Sequence, residues 1–132
     1  MGIGWLLTAL AIGFIFVILQ NKRQLQQSFY KDLNLTQIEN ELFKILDDIL
    51  YHVSSTSDFS NTDFENFEAF DEEIAKYKAG IIDNNPMRME FLNDEFSASG
   101  RFKIISDTNG WTKEFAVINK RFAALYHAYI NY

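Results

Sequence analysis

Asp48 and His52 stand four residues apart in a segment of helical periodicity, so a carboxylate and an imidazole would share one strip of helix surface, where they could hold a metal ion or pass a proton. The only other histidine, His127, lies near the end of the chain. A His-His-carboxylate set would therefore have to join His52, His127 and Asp48 or Asp47 across two helices. Ala124 and Ala123 stand three and four residues before His127, so the Glu-x-x-His pairs by which helical bundles hold two iron ions are missing. The expectation is a helix-end His52 and a surface His127, with no metal and no cofactor; a helical-bundle metal sensor or enzyme is the alternative.

Other chemistry finds less support. There is no cysteine, and no serine in a Gly-x-Ser-x-Gly setting. Gly100-Arg101 and Asn109-Gly110 are isolated turns, not a glycine-rich phosphate cradle opening a helix. The acids of Asp47-Asp48 and Asp94-Glu95 are adjacent in sequence, which on a helix points them about 100° apart, too far to work on one bond. The sequence predicts no catalytic residues and no enzyme.

Charge is unevenly spread. Every charged side chain follows residue 21, the stretch from Asp32 to Ser99 is strongly acidic, and the net charge is −6. The acidic middle disfavours a phosphate backbone, which requires a cationic face; the last segment, Gly100 to Tyr132, with five bases and two acids could make one, but its cations serve better to balance the acidic helices, so nucleic acid is not an expected partner. Between Asp58 and Glu73, four phenylalanines alternate with seven acids and no base. That pattern fits either a flexible segment folding on a basic partner or an amphipathic helix with an acidic outer face; continuation of the spacing through Tyr77 and Ile81 favours the helix. Glu65, Glu68, Asp71 and Glu72 are the candidate partner face.

The elements that position these residues begin with an uncharged stretch, Met1 to Asn21. As a helix it would reach roughly 30 Å, the thickness of a bilayer's hydrocarbon core. Ile3, Trp5, Leu6, Leu7, Phe14, Ile15, Phe16, Val17, Ile18 and Leu19 are its expected lipid-facing anchor residues. No basic residue precedes the run and Ala9-Leu10-Ala11 falls inside it, so an uncleaved anchor is expected rather than a signal peptide. Leu6 stands where a myristoylation signal needs Ser or Thr. Gly4 with Thr8, and Ala9 with Gly13, form small-xxx-small pairs that let a second membrane helix approach, so a homo-oligomer or membrane-embedded partner is conceivable. Lys22 and Arg23 would meet lipid headgroups and, by the positive-inside rule, place the following domain in the cytoplasm. The expected setting is a bacterial inner membrane, as a single-pass protein of a bacterium or phage; an exported domain outside the cytoplasm is the opposite topology.

Residues 22–34 read as a helical stalk and residues 35–132 as one domain, since such a length closes only one core. Thirteen Phe, six Tyr and two Trp must fill much of it. Thr36 with Glu39 suggests a capping box before a stripe running Leu35, Ile38, Leu42, Ile45, Ile49, His52. Thr62 with Glu65 suggests a second box, ahead of Phe67, Phe70, Ile74, Tyr77 and Ile81, with Gly80 as a left-handed terminator. Asn85-Pro86 predicts a third helix running to about Ser99, with Met89, Leu92 and Phe96 inward and Met87 and Phe91 beside them. Arg101 to Ser106 is too short to classify by periodicity, and Asp107 to Gly110 reads as a turn. Trp111, Phe115, Ile118, Phe122, Leu125, Tyr129 and Tyr132 form the most regular stripe. The predicted fold class is all-α: one N-terminal transmembrane helix, then a small antiparallel bundle of about four helices. The expected role is a membrane-anchored, non-enzymatic interaction module whose partners are the lipid bilayer and another protein.

Overall fold

The computed structural model describes residues 32–132, and the portion Asn34–Tyr132 forms one compact unit. The proposed membrane anchor, the Gly4, Thr8, Ala9 and Gly13 seam, and Lys22 and Arg23 lie outside the described residues. Among the described residues, no helix is long and apolar enough to cross a membrane.

The described fold is all-helical, with five helices where about four are predicted: α1 Leu35–Tyr51, α2 Phe67–Ile82, α3 Pro86–Glu95, α4 Arg101–Asn109 and α5 Thr112–Ile130. α1 packs chiefly against α5 and also against α2; α3 packs on α2, and α4 bridges α3 and α5. Most of each stripe read from the sequence is buried, but the last one ends early: Tyr129 is only part-buried, and Tyr132, past the end of α5, is 67 % exposed. Ile38, Leu42, Ile45 and Ile49 of α1, Phe70, Ile74, Tyr77 and Ile81 of α2, and Phe115, Ile118, Phe122 and Leu125 of α5 all face the core. Phe102 of α4 is its hub, with ring centroids 5.7 Å from Phe70, 5.4 Å from Phe96 and 6.4 Å from Tyr77, all edge-on, the arrangement aromatic quadrupoles favour. Phe96 in turn stacks on Phe122 at 3.9 Å.

The helix ends depart from expectation for identifiable reasons. The capping box of α1 is formed by Asn34 and Gln37, not Thr36 and Glu39: Asn34 Oδ1 accepts from the Gln37 amide at 2.8 Å, and Gln37 Oε1 accepts from the Asn34 amide at 3.0 Å. Asparagine outranks threonine at this position, which moves the start two residues upstream. The Thr62 and Glu65 box does not form either. Thr62 Oγ1 donates to the Phe59 carbonyl at 2.7 Å in a loop, and Asn66 caps α2 by accepting from the Ala69 amide at 2.9 Å. Asp58 to Asn66 is thus an ordered loop, with Phe59 and Phe64 packed on Phe70, and only the later half of the acidic stretch is helix.

Gly80 lies inside α2, which runs on to Ile82; the left-handed residue of that turn is Asn84, at φ 52°. Met87 and Phe91 are exposed. The expected third helix is two. α3 stops at Glu95, Ser97 Oγ donates to the Asp94 carbonyl at 2.7 Å, and Gly100 opens α4. Short serine side chains that bond the backbone locally release the chain from the helix. The turn also needs glycine, because a Cβ at Gly100 would stand 2.2 Å from the Asp94 carbonyl oxygen and 2.3 Å from that of Glu95. Gly110, left-handed at φ 80°, terminates α4, so the predicted turn at Asp107 to Gly110 is the last turn of a helix.

Candidate functional site

α1 and α5 run antiparallel: Arg121 Nη1 donates to Asp48 Oδ2 at 2.6 Å, and His52 stacks flat on Trp111 with centroids 4.9 Å apart. His127 is sixteen residues beyond Trp111, near the far end of α5, which at the helical rise per residue is about 24 Å away. The two histidines therefore cannot share an ion whose ligands must lie near 2 Å from it, and the set of His52, His127 and Asp47 or Asp48 is not assembled. Asp48 is committed to Arg121, and Asp47 accepts from Lys78 Nζ at 2.5 Å. Among the described residues no group of three His, Cys, Asp or Glu side chains is placed to hold a metal.

The four acids of the candidate partner face are all exposed. Glu68, Asp71 and Glu72 belong to α2 and Glu65 to the loop just ahead of it. Glu72 reaches Lys76 at 3.7 Å, a loose pair one turn along the helix. No ion pair among the described residues involves Glu65, Glu68 or Asp71, and of these Glu68 lies in the first turn of α2, at the positive end of its dipole.

Glu73, next in sequence, turns inward and joins the most concentrated charge cluster of the unit. Arg101, the first residue of α4, holds Glu95 in a two-pronged grip, Nε to Oε1 at 2.7 Å and Nη2 to Oε2 at 2.5 Å. Its third prong, Nη1, reaches Asp63 Oδ1 at 2.8 Å, and its guanidinium lies 4.2 Å from the Phe64 ring. Tyr77 donates its phenol proton to Glu95 Oε2 at 3.0 Å, and Arg88 donates to Glu73 Oε1 at 3.1 Å. Burial pushes the Tyr77 phenol well above its ordinary range, and the charge of Glu95 adds to the effect, so Tyr77 remains a donor at any physiological pH. Burial alone would lower the Arg101 pKa; its hydrogen bonds to Glu95 and Asp63 more than compensate and raise it. The hydrogen bond from Arg101 holds the Asp63 carboxyl below the usual range.

This cluster ties the loop before α2, α2 itself, the end of α3 and the start of α4. Arg101 bonds Asp63 and Glu95, Tyr77 bonds Glu95, and Arg88 bonds Glu73, so the cluster holds these elements in register. The sequence contained a sign of it. Glu95 falls three residues after Leu92, beside Phe96 on the inward stripe of α3, where an acid requires a partner.

The chain shows no significant match to any protein-family model, curated protein or solved structure.

Proposed function

We propose that this chain is a non-enzymatic, membrane-tethered helical module that binds another protein through the acidic face at the start of α2, as an accessory subunit, tethered regulator or immunity-type factor. One observation carries the reading: Glu65, Glu68 and Asp71 are exposed and have no ion-pair partner among the described residues, while acids close to them in sequence, Asp63 and Glu73, are bound to arginines. Free carboxylates of one sign favour a basic surface on the partner and speed its encounter. The uncharged residues 1–21 would hold the unit at a bilayer and raise its effective concentration near a partner there. The small-residue pairs Gly4 with Thr8 and Ala9 with Gly13 would serve a partner helix or a second copy within the membrane.

A photo-crosslinking residue in place of Asp71, in the full chain expressed in cells, tests the face. A discrete crosslinked species is expected, and it should weaken when Glu65, Glu68 and Glu72 are replaced by glutamine. No crosslink, or one indifferent to those replacements, would remove α2 as the contact.

A further inference from the structure

Where α1 meets α5, Asp48, Tyr51, His52, Glu114, Val117 and Ile118 line an open groove of about 290 Å³. Two of its apolar members are left largely in water, Tyr51 at 83 % exposure and Val117 at 62 %. The Tyr51 ring meets His52 edge-on, with centroids 5.3 Å apart and planes at 84°. His52 is itself braced from behind by the buried Trp111 ring, their planes within 14° of parallel. The lining thus combines two rings at nearly a right angle with the aliphatic side chains of Val117 and Ile118. Two carboxylates complete the lining. Asp48 is engaged by Arg121 through Oδ2, and Glu114 has no ion-pair partner among the described residues.

Two aliphatic side chains, a pair of rings and a carboxylate without an ion-pair partner among the described residues complement one kind of side chain. The stem of an arginine covers apolar surface, its planar guanidinium stacks on a ring, and its forked N–H groups meet a carboxylate in two parallel hydrogen bonds. A lysine offers the stem and the charge without the plane or the fork. Charge complementarity favours the same occupant, because the residues lining the groove include two carboxylates and no lysine or arginine.

We propose that this groove receives an arginine side chain from the partner protein. The inference rests on the interaction-module reading above and supplies it with a specificity. The test is a titration of the full chain in non-ionic detergent with end-blocked Gly-Arg-Gly, Gly-Lys-Gly and Gly-citrulline-Gly, followed by the methyl NMR signals of Val117 and Ile118. Gly-Arg-Gly should give saturable shifts, binding roughly five- to tenfold more tightly than the uncharged citrulline peptide, with lysine between them. Glu114→Gln and Tyr51→Ala, both at exposed positions and checked for unchanged helicity, should each weaken the arginine peptide severalfold. Absence of a saturable shift, equal binding of arginine and citrulline, or indifference to Tyr51→Ala would each overturn the proposal. The titration needs neither bilayer nor partner, so its failure would leave the crosslink at α2 standing, and failure of the crosslink would leave the groove standing.

Discussion

Replacing Arg101 with methionine keeps an apolar stem and removes the guanidinium, which leaves Glu95, 4 % exposed, with the Tyr77 phenol as its sole donor. Stranding one member of a buried pair costs on the order of 3–5 kcal/mol, and losing the contact with the Phe64 ring adds about 0.5–1 kcal/mol. Arg101 keeps 27 % of its side chain in water, so solvent reaches the vacated site and the expected net loss is near the lower bound, about 3 kcal/mol. For a domain whose total stability is about 5–15 kcal/mol, that is a large fraction. Urea unfolding of the Asn34–Tyr132 unit, followed by far-ultraviolet circular dichroism, measures it directly. A thermal scan should show a fall of roughly 12–24 °C, at about 4–8 °C per kcal/mol for a domain of this size. Adding Glu95→Gln removes the orphaned charge, so the double variant should lose less than the sum of the single losses, by at least about 1 kcal/mol. A loss below about 1 kcal/mol for Arg101→Met, or strict additivity, would refute the claim that this pair locks α3 and α4 together.

Gly100→Ala places a Cβ against backbone oxygens that no side-chain movement can relieve, and should cost about 3 kcal/mol, at the upper end of overpacking, read as a shift in the urea midpoint. Stability should fall as the pH drops below the ordinary carboxylate value of 3.8. Asp63, held low by Arg101, and Asp107, held low by Lys103 and then Thr112, give stabilisation that is present above that value and lost as they protonate; urea midpoints against pH would show it. On the alkaline side the raised pKa of Tyr77 gives stabilisation that is present below the ordinary phenol value of 10.0 and lost above it. Its ultraviolet tyrosinate signal, isolated by comparison with Tyr77→Phe, should therefore appear only with unfolding. A reporter active on only one side of the membrane, fused after Tyr132, should report the cytoplasmic side if Lys22 and Arg23 set the orientation.

The buried faces of α1, α2 and α5 were legible because apolar residues recur at three and four: every residue from Trp111 to Leu125 in the α5 stripe is buried, whereas α4 with its buried Phe102 was too short for periodicity to show. The breaks were less legible. A helix stop at Glu95 depends on Ser97 bonding the Asp94 carbonyl and on the tight approach of Gly100, geometry that a reading by periodicity passes over in favour of one longer helix. Thr62 and Glu65 carry the letters of a capping box, yet Thr62 bonds backward to Phe59 because the aromatic loop packs on Phe70. Local signals lost there to tertiary packing. The acidic face was visible from composition alone, whereas the groove was not, since Tyr51 and Glu114 are sixty-three residues apart and meet only when α1 and α5 pair.

The membrane tether is tested most directly by alkaline carbonate extraction of membranes from cells expressing the full chain or a form lacking residues 1–21. The full chain should stay in the membrane pellet, and the shortened form should be found in the soluble fraction with its helical content intact. A full chain released by carbonate, or a shortened form that remains with the membrane, would contradict the tether.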